Sequence, residues 1–188
     1  MLGQEHDAWK NEKFSFGNED KAKIVYIGGG NVIFTASQAG SSKILSGIAG
    51  NGNFAKDGAQ DLLLSGINNN FTGRFDIDDG TVNYVQSIGG SFVGGQVVMD
   101  DGTVLNITND NVDNLKNLSS TATTATVNKS GNGDLILSSD NSGYHGIFNV
   151  DAGKLIVDIN NTATDKFFAN DAIVDVDTEI DFDIAANK

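Results

Sequence analysis

The chain has 188 residues, a formal net charge of −13, a single arginine, Arg74, and no cysteine. That length suits one domain with a real core. The charge argues against nucleic acid, anionic membranes and polyanionic substrates, which all need a basic face, and without cysteine neither disulfides nor thiolate sites are possible.

Glycine (23), asparagine (22) and aspartate (21) are abundant and proline is absent. These residues tolerate left-handed backbone, so the chain turns often. The apolar residues between turns are largely Val, Ile and Phe, and many short strands of that kind imply an all-β protein. No run approaches the roughly 18 apolar residues of a membrane helix.

Residues 1–22 show no repeat. "MLGQEHDAWK" has neither the basic nor the apolar region of a signal peptide, which suggests a cytosolic protein or a mature or excised piece of a secreted one. "EHDAWKNEKFSF" reads as a cap over the first coil, anchored by Trp9, Phe14 and Phe16, or as a frayed segment. The coils themselves are expected from 23 to 188. "IGGGNVIF" (27–34) and "GNGNFAKDG" (50–58) lack the lysine ending or helical context of phosphate loops and read as turns.

Residues 56–84, "KDGAQDLLLSGINNNFTGRFDIDDGTVNY", recur without a gap at 129–157 as "KSGNGDLILSSDNSGYHGIFNVDAGKLIV". The offset is 73, and 11 of 29 positions are identical, among them Lys56/Lys129, Asn68/Asn141, Gly73/Gly146 and Gly80/Gly153. A shorter period lies inside: Leu62 to Val82 and Leu135 to Leu155 are each 20 residues, and "DDGTVNY" (78–84) returns as "DDGTVLN" (100–106). A unit of 20 to 23 residues suits one coil of a β-solenoid, with Leu62, Val82 and Val104 in one inward column and Leu135 with Leu155 in another. A β-sandwich has no need of such a repeat.

Within 109–119, "NDNVDNLKNLS", the spacing of Val112, Leu115 and Leu118 by three predicts a short helical insertion between coils. Near the end, "IVDVDTEIDFDI" (173–184) alternates apolar residues with Asp175, Asp177, Glu179, Asp181 and Asp183. On one straight strand, carboxylates about 6.6–6.8 Å apart cannot converge on a calcium ion, so this row reads as the wet side of a strand that resists edge pairing.

Chemistry is sparse. His6 and His145 make no zinc spacing, and His145 stands in a turn position that is Thr72 in the other copy. Asp76, Asp78, Asp79, Asp100 and Asp101 could gather as hydrolase carboxylates, but "DDGT" before a strand is also what a tight turn asks for. Asn-x-Ser/Thr sequons occur at Asn70, Asn106, Asn117, Asn128 and Asn160. No residue is assigned a catalytic, cofactor-binding or metal-binding role.

The 129–157 copy resembles the passenger-associated repeat of bacterial autotransporters, on Gly133, Leu135, Leu137, Ser138, Asn141, Tyr144, Gly146, Gly153, Leu155 and Val157. The 56–84 copy fits it through Leu62, Leu64, Ser65, Gly66, Phe71, Thr72, Gly73, Gly80 and Val82. The second copy departs from the pattern at Ser139 and His145, which stand where it prefers Gly and Thr. The resemblance implies a right-handed single-stranded parallel β-helix exported through an outer membrane. It implies a structural or adhesive passenger at the bacterial surface, without cofactor, with a C-terminal translocator barrel in the full-length protein. A host or neighbouring-cell protein or glycan would be its ligand. The chain ends at "FDIAANK" without barrel strands and is therefore expected to be a passenger fragment. The rival readings are a β-helix polysaccharide-active enzyme and a non-catalytic carbohydrate-binding solenoid.

Overall fold

A computed structural model describes residues 12–14, 21–22, 25–27, 30–35, 43–45, 47–66, 68, 70–86, 89–92, 95–158, 168–169, 173–176 and 179–183. Six short strands come first: β1 (Glu12–Phe14), β2 (Lys21–Ala22), β3 (Val25–Ile27), β4 (Asn31–Thr35), β5 (Lys43–Leu45) and β6 (Ile48–Gly50). The first repeat holds β7 (Asn53–Asp57), β8 (Leu62–Gly66), β9 (Phe75–Ile77) and β10 (Thr81–Gln86). Between the repeats lie β11 (Val97–Met99), β12 (Val104–Thr108), β13 (Asp113–Lys116) and β14 (Leu118–Ser119). The second repeat holds β15 (Thr126–Ser130), β16 (Asp134–Ser138), β17 (Ile147–Val150) and β18 (Lys154–Asp158), and β19 (Ile173–Val176) and β20 (Glu179–Asp183) follow.

The strand pairings are parallel, and sequence neighbours fall on different sheets, so the chain is a β-solenoid. The first sheet runs β1-β4-β7-β9-β11-β14; the second runs β2-β5-β8-β10-β12-β15-β17-β19. A third face begins with the β3–β6 pair and continues, farther along, as β13-β16-β18-β20. Each coil thus turns from one sheet to the next and returns one strand spacing higher, about 4.8 Å.

Inside, side chains from successive coils stack in columns. Leu62, Val82, Leu105, Val127 and Phe148 are in register on the second sheet and fully buried. Phe34, Phe54 and Phe75 stack along the first, with ring centroids 6.2 and 5.2 Å apart. At roughly 1.5–3 kcal/mol per buried large side chain, these columns are the main stabilising term.

One column member differs from expectation. Val82 pairs with Leu105, not Val104, which is half-buried and faces outward. The turn before β12 spends one more residue: Thr103 is buried and its hydroxyl donates to Asp100 O at 2.7 Å. Since side chains alternate with period two, one extra residue moves the inward set from Val104 to Leu105. Leu135 and Leu155 pair as expected.

The helical insertion at 109–119 is absent; these residues form β13 and β14. Asp113 and Leu115 alternate inward, and the chain then turns a corner at Asn117, whose φ is 48°. That corner restarts the alternation at Leu118, so the three-residue spacing of Leu115 and Leu118 comes from two strands meeting. Val112 points to solvent, 60% exposed.

The acidic row is not one strand either. β19 belongs to the second sheet and β20 to the third, so Asp175 lies opposite Asn149 while Glu179 lies opposite Lys154. Of the 1–22 segment, β1 and β2 are described, each at the edge of its sheet; Trp9 and Phe16 lie outside the described residues, as do His6, Asn160, Asp177, Thr178 and Ile184.

Candidate functional site: the repeat corners

The residues that the two repeats share sit at the corners between sheets. Lys56 takes an inward position of the first sheet, in register with Phe34 and Ile77; Lys129 takes one in the second, between Ile107 and Val150. Both are fully buried. Each ammonium reaches the corner and donates to backbone carbonyls: Lys56 to Gly58 at 2.5 Å and Asp79 at 2.6 Å, and Lys129 to Gly131 at 2.9 Å, Ala152 at 2.8 Å and Ser130 at 3.2 Å. Gly58 and Asp79 are the repeat equivalents of Gly131 and Ala152, so one bond set is built twice. Burial holds both lysines below the ordinary ammonium range, against the pull of nearby aspartates, foremost Asp79 for Lys56 and Asp134 for Lys129.

Asn68 and Asn141 are the second shared device. Asn68 Oδ1 accepts from Ile48 N at 2.8 Å, and Asn141 Oδ1 accepts from Leu118 N at 2.9 Å, one coil away in each case. The following aromatics repeat as well: Phe71 N donates to Asn68 O, and Tyr144 N to Asn141 O. Gly73 and Gly146 are fixed by space, since a Cβ there would lie 1.8 Å from Gly52 O or 2.1 Å from Ala125 O. Gly80 and Gly153 turn with φ of 72° and 74°, where a side chain is strained.

The two copies occupy different faces. β9 and β10 of the first lie on the first and second sheets, whereas their equivalents β17 and β18 lie on the second and third. An offset of 73 residues is three coils of about 22 plus one strand and its turn. The repeat is therefore a corner unit, and its second copy is rotated one face around the solenoid.

The other sequence candidates are dispersed. Asp76 pairs with Arg74 at 2.5 Å, and Asp101 accepts from the Thr124 hydroxyl. Asp78 is held above the ordinary carboxylate range by partial burial, then by Asp76 and Asp100. Among the described residues no group of three His, Asp or Glu side chains gathers to hold a metal ion. His145 N donates to Ser120 O at 3.1 Å, in a corner. In the acidic row, Lys154 neutralises Glu179 at 2.9 Å and approaches Asp181 at 3.8 Å.

The sequons also separate. Asn106 and Asn128 belong to an amide ladder on the outer side of the second sheet: Asn149 donates to Asn128 at 2.7 Å, Asn128 to Asn106 at 2.7 Å, and Asn106 to Asn83 at 2.8 Å. Their amides are committed to this ladder. Asn70 is exposed in a turn. Asn117 borders a shallow polar groove of about 490 Å³ with Gln96, Ser119, Asp140 and Ser142.

The passenger-associated-transport-repeat family matches residues 54–83 and 127–157, the two segments whose corner bonds coincide. The chain carries two passenger-associated transport repeats, and its parallel solenoid fits an autotransporter passenger. No curated protein and no solved structure matches the chain. Sequence reading aligned Lys56 with Lys129 and Asn68 with Asn141 without giving them work; that a lysine and an asparagine recur among apolar columns was the available signal.

Proposed function

We propose that this chain is a rigid, non-catalytic segment of a bacterial surface protein. In the full-length protein a C-terminal translocator barrel exports it, and its loops meet a protein or glycan on a host or neighbouring cell. Residues 1–22 close the first coil in this reading. One observation carries it: two passenger repeats, with matching lysine and asparagine corner bonds, lie on one continuous parallel solenoid. A solenoid whose charged corner groups face its own backbone is suited to bearing loops at a distance from a membrane.

The test fuses residues 1–188 to the translocator barrel of an autotransporter. Intact cells are then probed with external protease, and their adhesion to host cells or to immobilised glycans is measured. The expected outcome is a surface-accessible, protease-resistant chain that raises adhesion. It should adhere equally well when Asp78, Asp79 and Asp100 are changed to Asn. Retention in the periplasm beside an inserted barrel would contradict export. Display without any gain in adhesion would leave a spacer and remove the adhesive role.

A further inference from the structure

Among the described residues, the first sheet ends as a strand at β14. It pairs with β11 on one side, and on the other only Ser120 continues it, in a single bridge to Tyr144. There the turn after β16 takes the place of a strand. It is tied down by Leu118 N, which donates to Asn141 Oδ1 at 2.9 Å, and by Ser120 N, which donates to Gly143 O at 2.9 Å. The step so formed is the shallow groove of about 490 Å³. Three successive coils line it: Gln96 from the first, Asn117 and Ser119 from the next, Asp140 and Ser142 from the third.

The groove also gathers strained backbone. Among the described residues, the two non-glycine residues with left-handed backbone are Asn117, at φ 48°, and Ser139, at φ 69°. Asn117 lines the groove, and Ser139 immediately precedes Asp140. Strain of this kind concentrates where ligands are held. The corner itself does not require it, because the first repeat carries Gly66 and Ile67 where the second has Ser139 and Asp140. Asp140 is fixed in place as well: its Oδ1 accepts from the Ser142 N–H at 3.0 Å and from the Ser142 hydroxyl at 2.6 Å.

We propose that this groove binds a neutral saccharide, gripping its hydroxyls through Asp140, Asn117 and Gln96. The proposal rests on the adhesive reading above and gives that contact a site and a chemical class. Neighbouring sugar hydroxyls are each donor and acceptor. A carboxylate held in place accepts from them by charge-assisted bonds, and amide and hydroxyl side chains both donate and accept. The amides of Asn106 and Asn128 are committed to the ladder, whereas those of Gln96 and Asn117 line the groove. Asp140 is the one ionisable group in the lining. With a chain charge of −13, it turns away sialylated, uronic and sulfated glycans. Leu118 is the one large apolar residue in the lining and is buried, so a peptide side chain would find no apolar pocket. The volume falls within the roughly 300–1,000 Å³ of small-ligand sites.

The test is a nitrogen–proton NMR titration of the whole chain with lactose, maltose, cellobiose and diacetylchitobiose, and with sialyllactose as the acidic counterpart. At least one neutral disaccharide should shift the amides of Asn117, Ser119 and Ser142 saturably, with a Kd of about a millimolar or tighter. Sialyllactose should bind at least about tenfold more weakly than that sugar. Ser139→Gly combined with Asp140→Ile installs the residues of the first copy. It should melt close to the wild type and bind at least about tenfold more weakly, as the loss of one charge-assisted hydrogen bond requires. Asp100→Asn, in another turn, should bind as the wild type does. The proposal is overturned if none of the four sugars moves the groove amides, if binding survives the double change, or if sialyllactose is preferred. If the double variant does not fold, Gln96→Ala, on an exposed side chain, decides by the same loss of affinity. Adhesion of cells displaying the chain, with groove amides that do not respond, would remove the groove and leave the adhesive reading standing. Saccharide binding without cell adhesion would do the reverse.

Discussion

Lys56 and Lys129 show how a charge is accommodated inside an apolar column. The four-carbon stem packs where Ile107 and Val150 pack, and the ammonium reaches carbonyls that a corner leaves without strand partners. Removing the ammonium leaves those carbonyls buried and unpaired, at about 1–3 kcal/mol. Lys129→Met, which keeps the stem, is expected to lower unfolding stability by that amount in urea at neutral pH. Burial sets a second, pH-dependent signature. The folded lysine sits below 10.5 and so binds its proton less tightly than the unfolded one. Its burial therefore costs stability at neutral pH, and the cost is relieved as pH rises from the folded value towards 10.5. The wild-type-minus-variant difference in stability should change between about pH 7 and pH 10, and a difference that stays constant would mean the buried amine is not titrating.

At the scale of strands, inward alternation is what the sequence displayed, and it decides which substitutions are severe. Leu137 is fully buried, between Leu115 and Val157 in the third-sheet column. Leu137→Asp places a charge there with no partner, a cost of several kcal/mol. Each coil is held by its neighbours, so the strands around β16 should be lost together. Circular dichroism should show a melting point lower by ten degrees or so, or no folded state; melting close to the wild type would remove Leu137 from the core. Period and column were readable because Leu62/Leu135 and Leu64/Leu137 repeat an apolar pattern on strands. The corners were harder. A one-residue change in turn length at Thr103 moved the register of β12, and the bend at Asn117 made two strands imitate a helical spacing. The break between Val176 and Glu179 was hidden because alternation continues unbroken in the sequence while the chain changes sheet. The bonds of Lys56 to Asp79 and of Asn68 to Ile48 were out of reach, since each joins residues about twenty apart through atoms whose meeting depends on the coil height.

For the whole molecule, rotation of the second repeat by one face means that the corner unit does not depend on which sheets it joins. If so, the first copy should work in the second copy's place. Replacing 134–153 by the sequence of 61–80 keeps Leu135, Leu137, Asn141, Gly146, Phe148 and Gly153 unchanged. It stops short of Gly133, where a Cβ would lie 2.3 Å from Asn111 O. Three changes carry weight. Tyr144 becomes Phe and loses hydroxyl bonds to Ala125 O at 2.9 Å and Ile147 O at 2.6 Å. Asn149 becomes Asp, and its ladder bond to Asn128 goes. Ser139 becomes Gly at φ 69°, which relieves about 1–2 kcal/mol of left-handed strain. Two losses of about 1 kcal/mol each against that gain leave a small net change. The exchanged chain is expected to unfold in one transition, with a melting point within about 4–8 °C of the wild type, since about 1 kcal/mol moves a chain of this length by about 2–4 °C. If the units were instead fitted each to its own pair of sheets, the inward residues would meet the wrong neighbours, and the exchange would give a chain that aggregates or melts in separate steps.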